Sequence, residues 1–276
     1  MEINTGEINP TERKGKYSNL DSMSVYELAH AMHEVDHDVL NAVEDAKPIV
    51  IDFISKLVEK MSKGGRLFYI GAGTSGRLGV IDASECPPTF GVEQGRVVGI
   101  IAGGDSAIRV AVEGAEDDFK QGWNDLSQHT LNENDSVVGI ATSGRTPYVI
   151  GAVMEAKKRG MLTGCITCNP GSKLASEVDY AMEAFTGAEF VTGSTRLKAG
   201  TATKLILNMI TTISFIKLGH VKGSSMVDMK LSNKKLIERG TKMVMESTGL
   251  VEAEALALLL KNKSVRQAVI SFENKD

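Results

Sequence analysis

Two short loops of small hydroxylated residues are the first feature of this chain whose residue types could do chemistry. The tetrapeptide Thr-Ser-Gly-Arg occurs at residues 74–77 and again at residues 142–145, each time after an apolar run typical of a buried strand. A helix that begins at such a turn directs free backbone N–H groups and the positive end of its dipole outward, and Ser or Thr hydroxyls add donors. The repetition therefore predicts two anion-binding loops, each suited to a phosphate group.

The predicted phosphate ligands are hydroxyl side chains, with one glycine in each loop that allows close approach of the backbone. They are Thr74 and Ser75 with Gly73 in the first loop, and Ser143 and Thr146 with Gly144 in the second. Thr146 and Pro147 together are typical of the cap and first turn of a helix. One such loop alone is explained as well by helix capping, but two matched copies favour binding.

The first loop also satisfies the dinucleotide-binding pattern G-x-G-x-x-G, at residues 71–76. That pattern requires an acidic residue about 20 positions later, at the end of the next strand, to hold the ribose. Asp82 and Glu85 come too early, and the next apolar run is followed by two glycines before Asp105. A dinucleotide also leaves the second loop unexplained. A small polar molecule with one phosphate, gripped by both loops, accounts for the two copies.

Composition limits the class of protein. The chain has 276 residues, of which 42% are hydrophobic and 5% aromatic, and it contains 28 glycines. These values suit an α/β protein with a full core and tight loops that approach a ligand. The net charge of −4 and the lack of a dominant basic tract argue against a nucleic-acid partner.

The hydropathy pattern and the N-terminal residues predict a cytoplasmic protein. No apolar run reaches the roughly 18 to 20 residues of a membrane span, so no membrane partner is expected. The first residues, Met-Glu-Ile-Asn-Thr, lack the charged and apolar regions of a signal peptide.

Cysteine and histidine residues do not predict a metal site. Cys165 and Cys168 form C-x-x-C, but on a strand residues three apart point to opposite faces, which favours buried thiols over a redox pair or zinc site. His30, His33 and His37 lie in a predicted helix, where the i, i+4 pair could hold a metal. No Cys or carboxylate cluster elsewhere completes such a site, so we interpret these histidines as a solvated helix face.

The spacing of apolar runs predicts a parallel sheet covered by helices on both faces. Strands are expected at residues 67–70, 97–102, 137–141 and 162–167, with a fifth near 190–191. Helices are expected at 24–46, 48–63 and 198–218, and three short ones at 234–246, 250–260 and 264–272. Both loops then fall at the carboxyl ends of strands, where such sheets bind ligands. The helix at 198–218 is apolar around much of its circumference, so burial, here against a second subunit, is expected.

Three regions follow from this organisation. We expect an extended arm at residues 1–22, a phosphate-binding domain with N-terminal helices at 23–232, and a small helical C-terminal region at 233–276.

Four contiguous motifs carry a close resemblance to the N-acetylmuramic acid 6-phosphate etherase family. They are Gly-Ala-Gly-Thr-Ser-Gly-Arg-Leu-Gly at 71–79, Asp-Ala-Ser-Glu-Cys-Pro-Pro-Thr-Phe at 82–90, Val-Glu-Gly-Ala-Glu-Asp at 112–117 and Thr-Gly-Ser-Thr-Arg-Leu-Lys-Ala-Gly-Thr at 192–201. The resemblance covers nearly the whole chain, although the tail is somewhat shorter than the family pattern. It implies a sugar isomerase (SIS) fold, in which helices sandwich a five-stranded parallel sheet, homodimerisation, and phosphosugar binding by the Ser/Thr loops.

The resemblance also implies a reaction and its catalytic residues. Family members of this kind cleave the D-lactyl ether of N-acetylmuramic acid 6-phosphate to N-acetylglucosamine 6-phosphate and D-lactate, a step in cell wall recycling that needs neither redox cofactor nor metal. Glu85 matches the family's proton donor and Glu116 its second catalytic glutamate, with Glu113 as the nearest rival of Glu116. Both roles require environments that push the two pKa values apart. Which glutamate takes the C2 proton stays open.

Cationic residues near the loops have two possible roles each. Arg196 and Lys198 are candidates for the phosphate or the lactyl carboxylate, since Arg can grip a carboxylate with two hydrogen bonds, but they could also be an exposed pair at a helix start. Arg77 and Arg145 could point away from the ligand and hold the loops. His220 is a weaker catalytic candidate, by analogy with the ring-opening histidine of related isomerases.

Two other functions are compatible with such a fold. A non-catalytic phosphosugar sensor, similar to glucokinase regulatory proteins, would bind its ligand without turning it over. An aldose–ketose isomerase would interconvert sugar phosphates without producing lactate. The presence of both Glu85 and Glu116 argues against the sensor.

Overall fold

The computed structural model describes residues 9–231 and 233–274. The predicted arm and the predicted C-terminal region therefore lie partly outside the described residues, at 1–8 and at 275–276. The described chain forms two compact units. The first comprises the residues up to Ala83 together with Val97–Ile210, and the second comprises Ser84–Arg96 together with the residues from Thr211 onward.

A five-stranded parallel sheet lies at the centre of the first unit. Its strands are β1 Leu67–Gly71, β2 Val97–Ile101, β3 Ser136–Ile140, β4 Leu162–Thr167 and β5 Tyr180–Glu183. They are ordered β2-β1-β3-β4-β5, and all neighbours pair in parallel. The predicted sheet is confirmed. Its strand order reverses between β1 and β3, which leaves a crevice at their carboxyl ends.

The fifth strand lies at Tyr180–Glu183, and the prediction near residues 190–191 is wrong. β5 is a four-residue edge strand whose side chains are mostly half-buried, so its apolar pattern is weak. Phe190 is buried for another reason, because its ring packs edge-on against Tyr17 with centroids 5.9 Å apart. Val191 is 49% exposed.

Two N-terminal helices precede β1, as predicted, but they divide at a different residue. They are α1 Val25–Asp36 and α2 Asp38–Ser62, so the break lies at His37 and Pro48 is inside α2. Pro48 is exposed and removes only one helical hydrogen bond, while an apolar stripe at helical spacing continues past it. That buried stripe consists of Val39, Ala42, Ala46, Val50, Phe53, Ile54, Leu57 and Met61.

The remaining helices of the sheet region alternate with the strands. They are α3 Gly73–Phe90, α4 Gln121–Ser127, α5 Pro147–Lys158, α6 Lys173–Ser176 and α7 Lys198–Lys217. α3 follows β1 directly, and α5 begins shortly after β3. The predicted long helix at 198–218 is confirmed as α7.

α7 departs from the expectation that no segment is long and apolar enough to span a membrane. Within the described residues it is one such helix by length and composition, and 56% of its apolar window is buried inside the chain. A buried core helix of a globular protein passes the same test, so this is weak evidence for a membrane span.

Three helices in the second unit confirm the predicted C-terminal helices to within a few residues. They are α8 Lys234–Thr248, α9 Glu252–Asn262 and α10 Val265–Glu273. Gly249 ends α8 in a left-handed conformation with φ of 73°. A cluster of apolar side chains packs these helices together, and its buried members are Val227, Met229, Val244, Ala255, Leu259, Val265, Ala268 and Val269.

A buried carboxylate joins the starts of β1 and β3. Asp135, whose side chain is fully buried, accepts hydrogen bonds from the backbone N–H of Arg66 at 2.8 Å and from its Nη2 at 2.7 Å. It also accepts from the backbone and side-chain N–H groups of Asn132. Ser136 donates its backbone N–H to Arg66 at 2.8 Å. The two central strands are therefore aligned at their amino ends by one charged group.

Replacing Asp135 by Ala should destabilise the fold strongly, because the donors of Arg66 and Asn132 lose their shared acceptor. We expect the free energy of unfolding to fall by about 3 kcal/mol or more, the cost of breaking a buried ion pair. Urea denaturation measures this loss. The control is Lys56→Ala, which removes an exposed pair with Glu59 at 3.2 Å and should change stability by less than about 0.5 kcal/mol. Equal losses in the two variants would contradict the role given to Asp135.

Candidate functional site

The first loop is built by close packing between the end of β1 and the start of α3. A Cβ atom on Gly71 would lie 2.7 Å from the backbone nitrogen of Gly76, and one on Gly76 would lie 2.6 Å from Cγ1 of Ile101. Gly73 has φ of 52°, which favours glycine. The absence of these side chains lets the first turn of α3, with the half-buried Thr74 and Ser75, sit directly on the strand ends.

The second loop follows β3 and has a similar design. Gly144 has φ of 64°, and a Cβ atom there would overlap Oγ of Ser172. The hydroxyl of Ser143 accepts the backbone N–H of Arg145 at 3.2 Å. Thr146 occupies the cap position of α5, but within the described chain its side chain makes no capping bond to that helix. The capping alternative therefore does not describe Thr146 in this structure.

The predicted N-terminal arm supports the second loop where it is described. Asn169 donates from Nδ2 to the carbonyl of Thr142 at 2.8 Å, and its Oδ1 accepts the backbone N–H of Thr11 at 3.2 Å. Thr11 is fully buried in a short 3-10 helix, Pro10–Glu12. Asn9 donates from Nδ2 to the carbonyl of Ser143 at 3.4 Å. The arm and Asn169 thus hold the backbone of the second loop through hydrogen bonds to its carbonyl groups.

A cavity of about 150 Å³ joins the first loop to the segment that carries Glu116. This is smaller than the ~300 Å³ of a typical ligand site, so it accommodates one group of a ligand rather than a whole sugar. Its lining consists of Ala72, Gly73, Arg77, Ala102, Ala107, Ala111, Val112, Glu113, Gly114, Ala115 and Glu116. Glu116 and its rival Glu113 are both exposed and share this lining.

The backbone of Glu116 is tied to the helix that follows the second loop. Tyr148, in the first turn of α5, donates its backbone N–H to the carbonyl of Glu116 at 3.1 Å. The hydroxyl of Tyr148 donates to Oδ2 of Asp125 at 2.6 Å. Burial first, and this hydrogen bond second, hold the pKa of Tyr148 far above its ordinary value, so the phenol stays a neutral donor. Glu116 is therefore brought together with both loops.

Two glycines permit the close approach between α5 and the segment after Glu116. A Cβ atom on Gly151 would overlap the carbonyl oxygen of Phe119, and one on Gly122 would overlap the carbonyl oxygen of Tyr148. Backbone therefore packs directly on backbone at this point, and the segment has little room to shift.

Arg77 holds a neighbouring loop, the alternative role considered for it. Its Nε donates to the carbonyl of Ile108 at 2.9 Å and its Nη2 to the carbonyl of Ala107 at 2.8 Å. These carbonyls belong to the 3-10 helix Asp105–Ile108, which leads into the Glu116 segment. The guanidinium is thus committed to backbone acceptors on one side of the cavity.

The segment at residues 192–201, the last of the four motifs, contains the start of α7, and the carboxylate of Glu189 occupies that helix start. Glu189 is fully buried and accepts the backbone N–H groups of Lys198 and Ala199, each at 3.0 Å. Burial raises the pKa of Glu189, and these two hydrogen bonds oppose the rise. The N-terminus of α7 is therefore occupied by Glu189.

The two predicted cations of that segment have different environments. Lys198 is 4% exposed at its side chain, and its Nζ lies 2.9 Å from Oδ2 of Asp38. Arg196 is exposed. The structure therefore pairs the buried Lys198 with the exposed carboxylate of Asp38 and leaves Arg196 facing solvent, while the binding role of both cations stays a prediction.

Glu85 and His220 belong to the second unit. Glu85 is exposed near the end of α3, whereas Glu116 lies in the first unit. His220 has Nδ1 3.4 Å from Oδ2 of Asp228. The assignment of Glu85 and Glu116 to one reaction stays a prediction.

Cys165 and Cys168 are buried and unpaired by disulfides, as predicted. Burial raises the pKa of each thiol to about 12, so both are neutral near pH 7. Among residues 9–231 and 233–274, no group of three or more His, Cys, Asp or Glu side chains is arranged to hold a metal.

Sequence analysis did not identify several residues that shape the site. Asn169 lies two residues after the end of β4, just as the second loop begins two residues after the end of β3, and that position was the available signal. Glu189 and Asp125 carried no comparable signal, because their partners lie in other segments of the chain.

Gly151→Ala should push the Glu116 segment away from α5. We expect a loss of about 1–3 kcal/mol in the free energy of unfolding, the usual cost of overpacking. The matched control is Gly200→Ala, also inside a helix, where a Cβ atom would meet its nearest neighbour at 3.5 Å. This variant should be neutral or more stable by up to about 1 kcal/mol. Thermal unfolding of both variants checks the pair, and a stable Gly151→Ala protein would refute the close contact.

Models of two protein domains match parts of the chain. Residues 49–157 match the glucokinase regulatory protein N-terminal SIS domain, and residues 106–213 match the SIS domain. A putative phosphosugar isomerase of known structure from Bacteroides fragilis superposes with a TM-score of 0.53 and 22% identity, covering 72% of this chain and 94% of its own. This likeness shows the fold.

Two relatives are similar over almost the whole chain. The N-acetylmuramic acid 6-phosphate etherase of Christiangramia forsetii is 53% identical over 96% of this chain and 97% of its own length. The protein of the same name from Bacteroides thetaiotaomicron is 52% identical over 96% of each. The similarity therefore includes the loops, the Glu116 segment and the C-terminal helices.

Proposed function

The chain belongs to the N-acetylmuramic acid 6-phosphate etherase family, and we propose that it cleaves the D-lactyl ether of N-acetylmuramic acid 6-phosphate, releasing N-acetylglucosamine 6-phosphate and D-lactate. The observation that carries this proposal is identity above 50% along 96% of the chain. The geometry supports it, because two hydroxylated loops and the Glu116 segment meet at the carboxyl ends of neighbouring strands.

The phosphate is proposed to bind at the loops. Thr74 and Ser75 at the first turn of α3 offer hydroxyl donors together with the backbone N–H groups of a helix start. Ser143 and Thr146 offer the same at α5. Gly73 and Gly144, with their positive φ values, keep the backbone open to a close ligand.

The lactyl carboxylate is proposed to meet Arg196 first. Its side chain is exposed, whereas Lys198 is paired with Asp38 and would have to leave that partner to reach a ligand. A guanidinium is also the better match for a planar carboxylate.

The reaction needs two proton transfers on neighbouring carbons. In the open-chain sugar, the C1 aldehyde acidifies the C2 proton, and a carboxylate removes it. Lactate then leaves from C3 with its electron pair and takes a proton from an acid. Water adds to C3 of the unsaturated aldehyde, and a proton returns to C2, which completes the balance. Glu85 and Glu116 are the proposed acid and base, each contributing about 10²- to 10⁴-fold in rate.

Both carboxyls are exposed to solvent. We propose that the bound sugar assigns the two roles, because it displaces water from the carboxyls and brings its own charges close to them. Which carboxyl acts first as base is left to the assay.

A phosphosugar sensor is the second candidate, favoured by the match of residues 49–157 to a regulatory protein domain. The same loops would bind its ligand. Such a protein would bind a sugar phosphate and release no lactate.

An assay in labelled water tests the function and the two glutamates together. Incubation with N-acetylmuramic acid 6-phosphate in deuterated, ¹⁸O-enriched water should yield D-lactate and a product labelled at C2 and C3. Glu85→Gln and Glu116→Gln should each lower kcat by about 10²- to 10⁴-fold, because each removes a proton-transfer group.

Glu113→Gln is the matched control for that assay, since Glu113 lines the same cavity as Glu116. It should keep kcat within a few-fold of the original protein. Wild-type turnover in both the Glu85 and the Glu116 variant would refute the site, and binding of the sugar without lactate release would favour the sensor.

Homodimerisation and action in the cytoplasm are also proposed. Large apolar side chains are exposed on the N-terminal helices, among them Val25 at 84% and Tyr26 at 71%, and a second copy would cover such surface. A charged sugar phosphate does not cross membranes freely, so we expect the enzyme in the compartment that contains this substrate.

Light scattering over a dilution series tests the dimer. We expect twice the mass of one chain at micromolar concentrations, because obligate partners rarely separate in that range. The mass of a single chain throughout the series would contradict the proposal.

A further inference from the structure

The end of α3 that carries Glu85 is weakly held by its own helix. Pro87 and Pro88 lie inside α3, and neither has a backbone N–H to donate to the carbonyl one turn earlier. Residues 84–96, here called the Glu85 segment, belong to the second unit. Contacts with the rest of that unit must therefore fix the direction of the helix end.

Two consecutive residues of the Glu85 segment make such contacts. Phe90 stacks on Phe215, with ring centroids 4.8 Å apart, and Phe215 meets the ring of His220 edge-on at 5.5 Å. Gly91 has φ of 68°, and a Cβ atom there would overlap the carbonyl oxygen of Asp228. The Glu85 segment therefore rests on the backbone of Asp228 without an intervening side chain.

Asp228 is itself clamped by Arg266 of α10. The guanidinium donates from Nε to Oδ1 at 2.7 Å and from Nη2 to Oδ2 at 2.8 Å, which is the two-bond geometry that orients a carboxylate most strongly. Nη2 also donates to the carbonyl of Gly219, and the backbone N–H of Arg266 donates to the carbonyl of Val227 at 3.2 Å. One side chain thus joins the chain after α7, the Asp228 turn and the last helix.

We propose that Arg266 is a positioning residue for the reaction, fixing the Glu85 segment through Asp228. The proposal rests on the proposed function and on the role of Glu85 within it. The proposal assigns a role to the C-terminal helices, because α8, α9 and α10 pack around the apolar cluster and α10 carries Arg266. Nδ1 of His220 also lies 3.4 Å from Oδ2 of Asp228, so His220 neighbours the same carboxylate.

Kinetics of Arg266 variants in two backgrounds test this role. In the original protein, Arg266→Met should lower kcat for lactate release by about 10- to 100-fold, the cost of a small misplacement of a reacting group. KM should change by less than about threefold, because the phosphate loops are untouched. Arg266→Lys keeps the charge but loses the two-bond geometry, so its kcat should lie between that of the original protein and that of Arg266→Met.

The second background is Glu85→Gln. If Arg266 acts through Glu85, adding Arg266→Met there should lower the residual kcat by less than about threefold, because groups that act as a unit are strongly non-additive. A control is Lys234→Met, which removes an exposed ion pair with Glu238 in the same unit and should leave kcat unchanged in both backgrounds.

Each other outcome overturns the proposal. Equal losses from Arg266→Met in both backgrounds would mean that Arg266 does not act through Glu85, and an unchanged kcat with a lower Tm would make it purely structural. If Arg266→Met does not fold, Arg266→Lys in the two backgrounds gives the same comparison. If the original protein releases no lactate, the proposed etherase function is wrong. If Glu85→Gln alone keeps wild-type turnover, only the role of Glu85 is wrong.

Discussion

The pairing of β1 with β3 is the constraint on which the candidate site depends. These strands are neighbours in the sheet but not in the chain, and they pair in register, with Gly71 opposite Ile140. Parallel pairing puts their carboxyl ends at one edge, and the reversal of strand order sends the following helices to different sides. The starts of α3 and α5 therefore flank one crevice. The two hydroxylated loops lie at a single crevice as a consequence of this pairing, and the Asp135 carboxylate aligns the same strands at their other end.

Backbone contact at glycines then sets the position of Glu116. The segment after Glu116 lies against α5 so closely that neither Gly151 nor Gly122 has space for a Cβ atom. The hydrogen bond from Tyr148 to the carbonyl of Glu116 completes the attachment. A segment held by main-chain packing has few alternative positions, which suits the proton-transfer role proposed for Glu116. The Glu85 segment is held differently, by aromatic stacking and by an ion pair that begins in the last helix.

Several charged residues near the candidate site have partners within the protein itself. Glu189 accepts hydrogen bonds from the first backbone N–H groups of α7, and the buried Lys198 pairs with Asp38. Arg77 holds carbonyls of an adjacent loop. Burial of a charge costs free energy unless the charge is paired, and the fold supplies a partner for each of these residues. A basic residue near a phosphate loop is consequently poor evidence of a ligand contact until its neighbours are known.

The amino-acid sequence by itself determined the parallel sheet, both hydroxylated loops, α7 and the three C-terminal helices, because each leaves a local signature of apolar spacing, glycine or a cap. Its motifs also determined the family. Tertiary structure decided the rest. The edge strand lies at Tyr180–Glu183, and α2 continues past Pro48. Thr11 is hydrogen-bonded to Asn169, which supports the second loop, and Lys198 forms an ion pair with Asp38. These outcomes depend on which residues from remote segments share a buried space. Burial and the pairing of buried polar groups are properties of that space, and no local spacing encodes them.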